Sequence, residues 1–146
     1  MIILAAEDIG NANPTAIVMA NNVFQAARAV GFPEGRILLS QCVIYLASSP
    51  KSNTSYLAIN EAQKKVEETG NLAVPLHLRN APTELMQSMG FGEGYKYAHD
   101  YAKNFIEQEF FPDEIKGQKF YHPGDNSKEK ILKTFLKERW GEKYDY

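Results

Sequence analysis

Asn13-Pro14-Thr15-Ala16-Ile17-Val18-Met19-Ala20-Asn21-Asn22-Val23-Phe24-Gln25-Ala26-Ala27-Arg28-Ala29-Val30-Gly31 is the stretch that decides the fold class. Asparagine caps free amides, and proline at the first helical position needs no hydrogen-bonded N–H, so a helix starts here. Ala16, Ala20, Val23, Ala27 and Val30 recur at spacings of four and three, with Ile17 and Phe24 beside them, which gives one apolar face. Gly31 supplies the left-handed stop.

Outward from this helix the same period continues. After the turn Phe32-Pro33-Glu34-Gly35, residues 36–48 are apolar almost all the way round, which predicts the central helix of the core. Pro50 closes it, and Ser52 or Asn53 can cap a further helix. There Tyr56, Ile59, Ala62 and Val66 are expected inward, Lys64, Lys65, Glu67 and Glu68 toward water, and Gly70 at the end. Thr83 to Gly90 reads as a short capped helix behind the extended pairs Val74-Pro75 and Ala81-Pro82. Residues 91–121 hold nine of the seventeen aromatic residues without helical period, so an ordered loop is expected. The last helix runs from about Ser127 to Trp140, capped by Asp125 or Asn126, with Ile131, Leu132, Phe135 and Leu136 on its apolar face. No strand-like alternation of useful length occurs, so the fold class is all-α: a compact helical bundle with a long ordered aromatic-rich loop.

Composition narrows the functional classes. A chain of 146 residues with 44% apolar side chains is the usual size of one domain and needs no disulfide or metal to close a core. The net charge of -2 divides unevenly: residues 1–115 carry 8 Lys/Arg against 13 Asp/Glu, and residues 116–146 carry 8 against 5. A global polyanion binder is thereby disfavoured. Cys42, the single cysteine, lies in an apolar run and reads as a buried thiol, in keeping with a reducing cytoplasm. The opening Met1-Ile2-Ile3-Leu4-Ala5-Ala6 lacks a basic n-region and is too short for a signal or a span, so a soluble, untargeted protein with no membrane partner is expected. It also begins as an apolar helix without a cap, which suggests more chain before it.

Catalytic chemistry finds no foothold. The sequence has no G-x-x-x-x-G-K-[ST] phosphate loop, and Gly90-Phe91-Gly92-Glu93-Gly94 reads as a turn whose carboxylate would repel an anion. His77, His99, His122 and Cys42 lack zinc-ligand spacing, and no nucleophile motif occurs. No catalytic, cofactor or metal residue is therefore assigned. Two surfaces remain. Tyr95, Lys96, Tyr97, His99 and Tyr101 form a candidate protein interface, because tyrosine supplies contact area at low entropic cost. Lys130, Lys133 and Lys137 form a candidate weak DNA contact, diluted by Glu129, Glu138 and Glu142; a spacing-four pair of Glu129 with Lys133 is expected on that face.

Several stretches point further. They are Ala6-Glu7-Asp8-Ile9-Gly10-Asn11-Ala12-Asn13-Pro14, Ala47-Ser48-Ser49-Pro50-Lys51-Ser52-Asn53, Val74-Pro75-Leu76-His77-Leu78-Arg79-Asn80-Ala81-Pro82-Thr83, Gly92-Glu93-Gly94-Tyr95-Lys96-Tyr97-Ala98-His99-Asp100-Tyr101 and Phe111-Pro112-Asp113-Glu114-Ile115-Lys116-Gly117. In this order they resemble the C-terminal region of bacterial AAA+ ATPases of the replication-associated recombination (RarA/MgsA) family, relatives of clamp loaders and of the Werner-helicase-interacting protein. The resemblance implies that residues 1–12 end the AAA+ lid and that residues 13–146 are a helical oligomerisation domain. In such a parent protein an N-terminal AAA+ module binds ATP and magnesium, and this domain joins subunits as a homotetramer. DNA and single-strand-binding protein would be the parent's partners at stalled forks, and the chain itself would not be an enzyme. The rival reading is a module that touches DNA or a replication protein through the last helix or the Tyr95 to Tyr101 loop. Many relatives have glycines or a proline after the His-Asp-Tyr equivalent, whereas Ala102 to Gln108 here is compatible with a helical turn.

Overall fold

The computed structural model describes all 146 residues, and no residue lies in a strand. Six α-helices occur in order: α1 (Ile2–Leu4), α2 (Thr15–Val30), α3 (Gly35–Ala47), α4 (Thr54–Thr69), α5 (Glu84–Ser88) and α6 (Ser127–Tyr144). A π-helical turn at Ala5–Ile9 and a 3-10 turn at Gly10–Ala12 lead from α1 to α2. None of the helices is long and apolar enough to cross a membrane. The chain divides into two compact units, residues 1–64 with 120–135 and residues 65–119 with 136–146.

The first unit is built on the pair α2 and α3. Ala16, Ala20 and Val23 of α2 meet Cys42 and Leu46 of α3, with Ala5 and Ile9 of the entry turns closing the same cluster. Alanines on α2 let the helices approach closely, so the dry core is narrow. As a consequence α3 is not buried all round, against expectation: Ile37, Val43 and Ile44 face outward. The faces of α4 and α6 also depart from it. Tyr56, Ile59 and Val66 of α4 and Ile131, Leu132 and Phe135 of α6 are exposed, while Lys65, expected in water, is half-buried and paired with Glu68. On α2, Val30, Ile17 and Phe24 are outside as well. Periodicity located α2, α3, α4 and α6, the last running on to Tyr144 past its expected end at Trp140, but not which stripe of each would find a neighbour.

Asn13 also differs from its expected role. Its side chain does not cap α2; it bridges to α3, donating through Nδ2 to the Tyr45 hydroxyl and to Ser49 Oγ, each at 3.0 Å. The backbone of Gly10 passes directly beneath the loop between α3 and α4. Its φ is +47°, and a Cβ there would lie 2.6 Å from the Ser52 carbonyl oxygen, so only glycine fits. Ser52 in turn donates its amide to the Asp8 carbonyl at 2.8 Å.

The second unit has no fully buried side chain. Its ordering centre is Trp140 of α6, met edge-on by Phe105 with ring centroids 4.7 Å apart and by Phe110 at 6.0 Å. These contacts explain why a loop so rich in aromatics is ordered without a helix. Residues 102–104 form one 3-10 turn, after which the chain extends; the helical character expected for Ala102 to Gln108 is confined to that turn. Thr83 caps α5 as expected, accepting from the Met86 amide at 3.3 Å.

Candidate functional site

Two carboxylates organise the polar interior, one in each unit. In the first unit Glu129 has no accessible surface. Thr54 Oγ1 and Asn126 Nδ2 donate to it at short range, and the Tyr121 hydroxyl donates at 2.9 Å. Asn126 Oδ1 accepts from the Glu129 amide at 3.0 Å and so caps the start of α6, while its Nδ2 donates back to the Glu129 carboxylate. Burial alone would push the Glu129 carboxyl up, but hydrogen bonds from Ser52, Thr54, Tyr121 and Asn126 together outweigh it and hold the value at about 2. Burial and the neighbouring Glu129 drive Tyr121 the other way, to about 12. The expected surface pair of Glu129 with Lys133 does not exist, because the carboxylate points into the unit.

In the second unit Glu109 accepts from the amides of Phe110 and Phe111, both at 3.0 Å. Its other oxygen lies 3.1 Å from Lys143 Nζ, which donates to the Gln108 carbonyl at 2.8 Å. That oxygen is an ion-pair partner without a well-aligned hydrogen bond. Burial raises the Glu109 carboxyl, yet the amides and Lys143 together leave it below the usual carboxylate range. His77 Nε2 sits 2.8 Å from the Glu109 carbonyl oxygen, which fixes the segments 74–79 and 109–112 beside each other. A cleft of about 400 Å³ opens there, with Arg79 and Lys116 offset by Asp113 and Glu114. Mixed charge favours no single ionic ligand.

Each carboxylate is held by its own neighbours, Glu129 by neutral donors and Glu109 by two amides and Lys143. The residues singled out from sequence are all on the surface. Tyr95, Lys96, Tyr97, His99 and Tyr101 form one exposed strip, with the Tyr97 and His99 rings 5.0 Å apart. Lys130, Lys133 and Lys137 are exposed on α6. Sequence reasoning missed two features. Asn126 caps α6 as expected, but the return of the Glu129 side chain to Asn126 went unread, and the outward apolar stripe of α3 was masked by an expectation of complete burial.

The motif stretches meet pairwise in space: residues 6–14 with 47–53 in the first unit, and residues 74–79 with 109–116 in the second. A family model described as the MgsA AAA+ ATPase C terminal matches residues 1–140. The chain is 41% identical over 134 residues to a protein of Coxiella burnetii named replication-associated recombination protein A, covering 91% of this chain and 30% of that relative. A protein of the same name from Escherichia coli is 43% identical over 121 residues, covering 82% of this chain and 27% of its own length. A Dictyostelium discoideum protein named ATPase WRNIP1 is 37% identical over 122 residues, 83% of this chain and 14% of that protein. The chain thus spans less than a third of these relatives.

Proposed function

Because the chain belongs to the MgsA AAA+ ATPase C-terminal family, we propose that it is the self-assembly domain of a DNA-dependent AAA+ ATPase that acts in replication-associated recombination. ATP and magnesium belong to the ATPase module of such a protein, and this domain performs no catalytic step. Its task is to hold several ATPase modules together, as a homotetramer, while DNA and single-strand-binding protein engage the whole assembly in the cytoplasm.

One observation carries this reading. The chain exposes 10185 Å², whereas a compact monomer of 16.5 kDa exposes about 7,500 Å², and two independent halves of that mass about 9,100 Å² together. The excess over even two separate bodies is about 1,000 Å², close to one partner's share of a standard protein interface, roughly 800 Å². Much of what is exposed is apolar, from Ile17 through Ile37 and Ile44 to Ile131. Bare apolar surface of this extent on a single chain marks an interaction site. Light scattering on the purified chain tests it: a mass that is a multiple of 16.5 kDa supports assembly, and a monomer at high concentration overturns it.

A second reading rests on Lys130, Lys133 and Lys137. All three are exposed on α6 without an ion-pair partner, so a sequence-independent contact with phosphates is open to them.

A further inference from the structure

We infer that the outward stripe of α3 is a homotypic contact, in which two copies of this chain pack α3 against α3 antiparallel about a two-fold axis between Ser40 and Ile44. The inference rests on the self-assembly reading and assigns it a surface. Ile37, Ser40, Ile44 and Ala47 recur at spacings of three and four and are all exposed, Ile37 to 63% and Ile44 to 66%. They lie opposite Cys42 and Leu46, the residues with which α3 grips α2. The helix therefore has one face committed to its own unit and a second apolar face with nothing on it.

Two properties of the second face suit it to another copy of this chain. The first is charge. No charged residue occurs between Arg36 and Lys51. In a two-fold contact, residues near the axis meet their own copies, so any charge there would face its like. A neutral stripe avoids that repulsion, and it offers nothing to phosphate or to a charged peptide. The second is shape. Antiparallel pairing about the stated axis puts Ile37 opposite Ala47 and Ile44 opposite Ser40, in both directions at once. Large side chains then enter gaps left by small ones, which is how helices reach close packing. The 13 residues of α3 make a contact about 20 Å long.

Ile44→Glu and Ser40→Lys test the surface and its register together. Each variant alone should weaken association at least ~30-fold, the effect of losing a central anchor, and lower the mass seen by light scattering. An equimolar mixture should recover association, because the carboxylate introduced at position 44 of one copy then faces the ammonium introduced at position 40 of the other. Both positions are exposed, so circular dichroism should be unchanged; should either variant lose helicity, Ile44→Ala replaces it and must still weaken assembly. If the unmodified chain assembles and Ile44→Glu leaves its mass unchanged, the α3 surface is wrong and the self-assembly reading stands. If the unmodified chain is a monomer, both fail. If the single variants dissociate but the mixture does not recover, the antiparallel register is overturned.

Discussion

Glu129 shows how one buried charge can be held without a cation. Neutral donors converge on it, and their combined gain lowers its carboxyl from 4.5 to about 2. A depressed folded value stabilises the protein at pH above the unfolded value and is lost as pH falls through the folded one. The shift corresponds to about 3 kcal/mol, present above pH ~4.5 and lost progressively toward pH ~2. Glu129→Gln is therefore expected to lower neutral-pH stability by about that amount and to flatten the acid limb of a denaturation series. An acid limb as steep as that of the unmodified chain would assign acid sensitivity elsewhere. Tyr121 gives the mirror case. Its raised value, about 12, stabilises the fold below pH ~10, the unfolded value, and that contribution is lost as pH rises through 12. Ultraviolet titration should find a phenol ionising near pH 12 that disappears in Tyr121→Phe; an unchanged titration curve would contradict the placement.

At the scale of elements, exposed strips distinguish surfaces that serve the fold from those left for a partner. Phe105 is spent on Trp140, whereas Tyr95, Tyr97 and Tyr101 of the same loop remain outside. A tetramer closed by two-fold contacts needs two different self-complementary surfaces. If α3 supplies one, the strip from Tyr95 to Tyr101 is the candidate for the other. Tyr95→Ala combined with Tyr97→Ala is expected to reduce the assembled mass by half, at a cost of ~2 kcal/mol or more, with the helical signal intact. Full assembly in the double variant would exclude the strip from the interface.

For the molecule as a whole, the uneven charge division favours a DNA contact at the basic end. Three lysines neutralising phosphates predict a slope of about -3 for log affinity against log salt on duplex DNA. Binding that is tight and flat across ~0.05 to 0.2 M salt would demand a different contact. The amino-acid sequence on its own determined the all-helical class, the positions of the main helices and the family, because capping residues, glycine stops and 3.6-residue periodicity act within a few residues of themselves. It also contained the Asn126 cap of α6, a local signal. Tertiary structure alone decided which stripe of each helix is covered. The apolar faces of α3, α4 and α6 read as core in sequence, yet the alanine-lined contact of α2 with α3 is too narrow to receive them. The same holds for the partners of Glu129: its bonds to Thr54 and Tyr121 join residues 75 and 8 positions away, and the local pairing with Asn126 announces neither. Periodicity specifies a face; burial of that face depends on whether another element, or another copy of the chain, comes to meet it.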